Sequence, residues 1–468
     1  MKGKYAYLIK NVGLFALNGF IPKILSFILI PIYTGYLSTQ DYGTSDLITT
    51  TVQLLIPIFT LDIQDAVIRF AMDKQCDRRQ VFSVAIRIIA IGSLLVTGGA
   101  AIASLLNIPG VEDMYLLFLV IMYISSALQN SVSLFCRGID KVHVVVVSSL
   151  IHSVITLSAN ILFLVVFEWG LVGYLIANSI GAVLALVYCF FAAKLYRFIT
   201  WKVPKALSRE MIAFSFPLIF SVVAWWINNA SDRYILSAFA TVAASGVYAI
   251  AYKIPNLLTI FQNIFTQAWS ISAIKEFDKD DSDGFIGNMY TMMNFGMVVV
   301  CSLIMIVNIP VARILYAKEF FQAWHYVPPL LISVVFNAMA LFIGSIFTAV
   351  KDTKTLSYST IIGAVVNTGF NFAFIPFFGA YGAAIATLIG YAATLLMRHI
   401  ILRKHIHIRV RLTRDLLGYA ILIGQMAVSA IGLWSIPAQC VCTGLILLLY
   451  RAEIGSAVKT VTKKFLKK

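Results

Sequence analysis

Two lysines stand where charge is costly. Lys23 lies about 13 residues into the first long apolar run, and Lys253 lies at a similar depth in the eighth. At 1.5 Å per residue, Lys23 sits roughly 20 Å along its helix, too far for its ammonium to reach the headgroups easily. Hydrocarbon tolerates such a charge only where it is hydrated or paired, so each lysine marks either a water-filled cavity or a buried structural pair. Gly19, Lys23 and Ser26 share one helical face, with Pro22 and Pro31 as kink-formers beside it. Lys253 heads a stripe with Asn256, Asn263 and Gln267 at spacings of 3, 7 and 4. The preceding run carries Ser221, Trp225, Asn228 and Asp232 at 4, 3 and 4. These spacings hold each set on one side of a helix, as expected for the lining of a wet cavity or for a helix interface.

Carboxylates form the second set. Asp62, Asp65 and Arg69, spaced 3 and 4, fall on one face of the second run. Asp65 and Arg69 can pair within the helix, or a membrane-embedded carboxylate can bind H⁺ or Na⁺ as a coupling site. Asp232, beside Arg233, carries the same two readings. Arg87 near the start of the third run is expected to snorkel to the headgroups. His143, His152, His325, His399, His405 and His407 form no ligand set. The stretch Asp278–Asp283 holds two D-x-D triplets, but on a loop of about 14 residues with no fold behind it, and reads as a solvated acidic loop. No nucleophile elbow, HExxH or phosphate-binding G-x-x-x-x-G-K-[ST] occurs, so transport powered within this chain would draw on an ion gradient or the membrane potential.

The elements that must position these residues are membrane helices. The 468 residues are 60% hydrophobic and only 12% charged, about half the charged share of a soluble domain. Apolar runs of 18 residues or more recur along the whole length, too long for barrel strands. With no water to satisfy the backbone in lipid, helices remain. The expected spans are near 11–37, 43–71, 82–106, 114–137, 144–167, 171–193, 211–239, 243–272, 287–309, 325–350, 356–377, 380–402, 413–435 and 437–450.

The net charge of +15 invites a nucleic-acid partner, but its distribution argues otherwise. Of the 36 Lys and Arg residues, 29 fall in alternate segments with the N-terminus, counting Arg137, Arg398 and Arg414 at span ends with the segments they adjoin; two, Arg313 and Lys318, fall in the others, and the other five lie within spans. This is the positive-inside pattern, which predicts both termini in the cytoplasm and anionic membrane lipid, not nucleic acid, as the partner of the basic excess. The six scattered cysteines include no CxxC pair, which argues against disulfide or metal roles. The first apolar run continues to about residue 37 without an A-x-A site, and reads as a span, not a signal peptide.

The two halves resemble each other. Asn160 matches Asn371 at an offset of 211, while Gly170, Gly173, Ala177 and Gly181 match Gly379, Gly382, Ala386 and Gly390 at 209. Tyr36–Gly43 matches Phe239–Gly246 more weakly. Six spans per half give both halves one orientation, related by an axis along the membrane normal, an arrangement that puts a transporter's site between halves. The expected fold is therefore all-α and polytopic, with about fourteen transmembrane helices. Residues 1–193 and 211–402 form two pseudo-symmetric six-helix bundles joined by a cytoplasmic linker, 194–210. Residues 403–468 add two helices and a basic tail.

The segment N18-G-F-I-P-K23-I-L-S-F, then P31-I-Y-T-G-Y-L-S-T-Q-D-Y-G43, D46-L and A66-V-I-R69-F, resembles the oligosaccharide flippases of the polysaccharide-biosynthesis family. These belong to the multidrug/oligosaccharidyl-lipid/polysaccharide exporter superfamily. The resemblance covers essentially the whole chain, and P-x-Y-T-x-x-L-S-x-x-[DE]-Y-G is its most specific part. It implies a non-enzymatic carrier of undecaprenyl-diphosphate-linked oligosaccharides for O-antigen, lipopolysaccharide or capsule, working by alternating access in the bacterial inner membrane. A polysaccharide polymerase and chain-length machinery would be partners. The resemblance also puts cavity cations on spans such as the first and eighth, where Lys23 and Lys253 could receive the diphosphate. No cofactor is expected beyond a coupling H⁺ or Na⁺. Three alternatives compete. A drug/cation antiporter of the same superfamily would need an acidic cavity, a peptidoglycan-precursor flippase shares the span count, and a membrane glycosyltransferase would need a larger external loop.

Overall fold

The computed structural model describes residues 26–453 apart from 74, 108–111, 276–277, 279–280, 283, 351, 405 and 407–410; of 267, 268, 270–272, 274, 275 and 353 it describes the backbone only. Lys23 lies outside the described residues. The chain is all-α. The helices are α1 Ile30–Tyr36, α2 Thr39–Phe59, α3 Ile63–Ala71, α4 Arg78–Leu105, α5 Asp113–Gly138, α6 Val142–Asn160 and α7 Gly170–Ala192. There follow α8 Lys205–Phe239, α9 Val242–Ala251, α10 Pro255–Lys275, α11 Phe285–Leu315, α12 Val327–Ala349, α13 Thr353–Leu402, α14 Leu412–Ser429 and α15 Ile436–Leu449.

Among the described residues, nine helices are long and apolar enough to cross a membrane, against fourteen expected spans. Local chemistry accounts for part of the difference, and most of the first expected span, 11–37, lies outside the described residues. The expected second span breaks between α2 and α3, where Leu61 (φ 53°) and Asp62 (φ 48°) are both left-handed. Pro57 inside α2 removes a helical donor just upstream. The eighth span breaks between α9 and α10 at Tyr252–Ile254, ahead of Pro255. The eleventh and twelfth run together as α13, folded at Gly379 (φ 55°, ψ −134°).

The chain divides into two compact units, Met1–Ala230 and Ser231–Lys468, which part within α8. In the first, a core around Phe82, Tyr123 and Phe135 ties α3, α4 and α5 together. In the second, α12 is the most enclosed helix, with 78% of its apolar window buried against 11–44% for the other spanning helices. Such a helix is surrounded by protein.

The small residues of the repeat do the same work in each unit. A Cβ on Gly173 would meet the Phe163 carbonyl oxygen at 3.0 Å, and one on Gly382 the Phe374 oxygen at 2.6 Å. A Cβ on Gly181 would press on Thr156 and His152, and one on Gly390 on Asn367 and Gly363. Gly170 and Gly379, the glycines that open these segments, share φ 55°, a conformation that disfavours any side chain. The contact partners also stand 211 apart, so one close-packed frame is built twice.

Candidate functional site

In the second unit, three segments converge on Asp232. The carboxylate sits near the end of α8 and is 1% exposed. α9 starts at a Thr241 cap, whose hydroxyl accepts the Ala244 N–H at 3.0 Å. It carries Tyr248 toward Asp232, and Tyr252 follows one turn later at its end. Both phenols donate to Asp232 Oδ2, at 2.7 and 3.2 Å. Oδ1 accepts the Arg233 N–H at 2.9 Å, and the Arg233 guanidinium lies 5.4 Å over the Tyr252 ring. The two limbs of α13 complete the cluster. Thr387 Oγ1 lies 3.5 Å from Asp232 Oδ2 and 3.0 Å from the Ala383 carbonyl. Asn367 Nδ2 reaches Thr387 Oγ1 at 3.3 Å, and Asn371 Nδ2 donates to Asn367 Oδ1 at 3.1 Å.

This arrangement is rich in oxygen, with the Arg233 guanidinium as a neighbouring charge. The single Thr387 proton can serve only one acceptor at a time. Asn371 Oδ1 is buried without a hydrogen-bond partner among the described residues. A buried carboxylate flanked by hydroxyl and amide oxygens can take up a proton or a small hard cation and release it again. Of the three carboxylates singled out by sequence, Asp232 has this environment.

The first unit treats its carboxylates differently. Asp62 leaves the helical face it was expected to share with Asp65 and Arg69, because the chain is left-handed there. Its backbone N–H returns to the Pro57 carbonyl at 3.0 Å. Its side chain, 1% exposed, accepts from Gln64 Nε2 at 3.0 Å, while Oδ2 finds no partner among the described residues. Asp65 and Arg69 remain on α3, but both are exposed and form no ion pair among the described residues. The expected intrahelical pair is thus not made.

Lys253 sits in the break between α9 and α10, half-buried, its N–H bonded to the Ile250 carbonyl at 2.9 Å. The break separates it from Asn256, Asn263 and Gln267 of the expected stripe, and the Gln267 side chain lies outside the described ones. On α10 Asn256 is exposed and Asn263 half-buried. The α8 stripe turns inward as it runs: Ser221 and Trp225 are exposed, and Asn228 is buried. The acidic loop also departs from expectation. Asp281 is not solvated; its carboxylate accepts the Ile286 and Gly287 N–H groups at 2.9 Å each, capping α11.

Sequence reasoning missed two arginines. Arg398, assigned to a helix end, is 4% exposed. Its Nε donates to Ser359 Oγ at 2.8 Å, Nη1 to the Ala340 carbonyl at 2.6 Å, and Nη2 to Thr360 Oγ1 at 2.9 Å and the Leu356 carbonyl at 3.4 Å. Arg137, in the last turn of α5, lines a cavity of about 610 Å³ within the first unit. A polar stripe on that span, Ser126, Asn130, Ser133 and Arg137, was the available signal.

Discontinuous apolar helices with polar groups at the breaks define a multi-pass membrane transporter. Solved structures of that class share the fold. The chain matches "Lipid II flippase MurJ, inward closed conformation" at TM-score 0.72 and 14% identity, covering 94% of this chain and 99% of that one. It matches an inward-facing "multidrug resistance MATE family transporter of the MOP superfamily" at TM-score 0.64 and 14% identity, covering 83% and 97%. A MOP superfamily transporter from Pyrococcus furiosus matches at TM-score 0.57 and 15% identity, covering 84% and 94%. No protein of curated function matches in sequence. The family model "Polysaccharide biosynthesis protein" matches residues 8–271, more than half of the chain, and the chain belongs to that family. A second model, "Lipid II flippase MurJ", matches residues 275–451.

Proposed function

We propose that this protein flips undecaprenyl-diphosphate-linked oligosaccharide repeat units across the bacterial inner membrane by alternating access, with both termini cytoplasmic. The observation that carries the reading is the family match over residues 8–271. Lys253, set in a helix break where its ammonium has no partner among the described residues, supports an anionic cargo. Lys23 and Lys253 would receive the diphosphate, with Asn228, Asn256, Asn263 and Gln267 for the sugars. Asp232, in its hydroxyl and amide cluster, is the coupling site for H⁺ or Na⁺. Asp62 and Asp65 remain weaker coupling candidates, since neither gathers comparable oxygen ligands.

One second reading has its own support. The family model over residues 275–451 and a structural match that covers 94% of this chain are both to a lipid II flippase, so a peptidoglycan precursor is the competing cargo. The two share a polyprenyl diphosphate and differ in the glycan. Complementation separates them. The chain should restore surface polysaccharide to a strain lacking its oligosaccharide flippase and should fail to sustain growth when the lipid II flippase is depleted. The reverse pattern would replace the first reading with the second.

A further inference from the structure

The cavity of about 610 Å³ lies at the end of the first unit near the α5–α6 connection, walled by α3, α5, α6 and α7. Its volume is in the range of small-molecule sites. Its lining is unusual for a membrane bundle. Arg137 and His152 face it together with Gln64, Gln129 and four serines, and among the described residues no carboxylate is on its wall. Arg137 makes no ion pair or hydrogen bond among the described residues, and its Nε is buried without a partner. Gln129 donates to Ser148 Oγ at 3.2 Å, yet its own Oε1 is buried without a partner. Buried polar atoms are ordinarily satisfied, so two orphans on one wall call for an occupant.

The duplicate unit shows what fills this place when nothing needs to enter. At the repeat offset of 211, Gln129, Val145, Ser148 and Ser149 correspond to Ala340, Leu356, Ser359 and Thr360. Those four are the residues that bind the Arg398 guanidinium. At the offset of 209, Arg398 corresponds to Cys189, a small side chain whose sulfur lies 3.7 Å from that of Cys136. The first unit therefore has a small side chain where the second has its arginine. Three of the four matching positions, Gln129, Val145 and Ser149, line the recess instead, and its cation, Arg137, comes from α5.

We propose that this recess is a ligand site for a phosphate ester that carries hydroxyl groups, with Arg137 as the anion ligand and the serine and amide side chains as hydroxyl partners. A guanidinium offers a phosphate two parallel donors. The orphan Gln129 carbonyl needs a donor, which a hydroxyl supplies. Two sources have this chemistry, a sugar phosphate headgroup and a glycerol phosphate headgroup of the surrounding lipid. The preference for the sugar phosphate rests on the flippase reading; the recess itself does not.

The test is calorimetric titration of the full-length protein in phosphatidylcholine nanodiscs with glucose 1-phosphate, glycerol 1-phosphate and inorganic phosphate. Glucose 1-phosphate should bind at least tenfold more tightly than inorganic phosphate. Arg137→Gln should weaken that binding at least tenfold, and Ser149→Met, which occupies the recess without touching a charge, should remove it. Tighter binding of glycerol 1-phosphate, with the same response in both variants, would keep the site and assign it to a lipid headgroup. Neither ester exceeding inorganic phosphate, or binding that is indifferent to both variants in folded protein, would overturn the proposal. Complementation reports separately on the flippase reading, so loss of one does not count against the other.

Discussion

The two units repeat one frame of glycine contacts and put opposite things inside it. In the second unit the pocket beneath α12 and α13 is closed by Arg398, whose three nitrogens all find oxygens. In the first the matching volume is open, and Arg137 reaches it with no partner among the described residues. The carboxylates diverge in the same way: Asp232 lies in a knot of phenol, hydroxyl and amide groups, whereas Asp62 sits in a helix break with a single side-chain donor. The difference teaches that the packing frame is tied to glycine, and so copies faithfully, whereas the polar filling is free to specialise. On the readings proposed above, one unit holds a small ion and the other a larger polar guest.

The largest expected effect is on transport. Asp232→Asn preserves shape and removes the charge, so export in a complementation assay should fall to background with normal protein level in the membrane. Asp62→Asn, lacking the surrounding cluster, should retain most activity; equal loss from both would erase the contrast between the carboxylates. Lys253→Ala should also abolish export, and Lys253→Arg should keep part of it, because charge is retained and geometry altered.

Stability should separate the arginines. Arg398→Ala removes four hydrogen bonds and leaves a cavity where the buried guanidinium stood, for a loss of about 3 kcal/mol or more, visible as a lower Tm in detergent. Arg137→Ala breaks no hydrogen bond and should change stability by about 0.5 kcal/mol or less. If the two fall together, the first-unit cavity is structural.

The smallest effects concern the frame itself. A Cβ at Gly382 meets a backbone oxygen at 2.6 Å and one at Gly173 at 3.0 Å. Gly382→Ala should therefore cost about 1–3 kcal/mol, and Gly173→Ala less. Indifference at both would mean that the shared glycines are incidental.

The class of fold was legible because hydrocarbon forces long apolar runs, and those runs are in the chain. The breaks were harder to see. Pro255 announces one, but Leu61 and Asp62 turn left-handed with no glycine to mark the place, so the second span read as continuous and Asp62 was put on the wrong face. Arg398 lies four residues from a helix end and was counted with the basic loops. Its burial follows from oxygens on α12 and the other limb of α13, which no local pattern reveals. Asp232 was legible as a charge in a span. Its partners Tyr248 and Thr387, and Asn367 behind Thr387, lie 16 to 155 residues away and converge only through the fold.

The central claim is that this chain moves a lipid-linked glycan by coupling it to an ion held at Asp232. The direct test reconstitutes the protein in liposomes with a fluorescent undecaprenyl-diphosphate oligosaccharide and measures its flipping under an imposed Na⁺ or H⁺ gradient. One of the two gradients should accelerate flipping by wild-type protein, and Asp232→Asn should lose that acceleration while still binding the lipid. Flipping that ignores both gradients, or that Asp232→Asn leaves unchanged, would contradict the account.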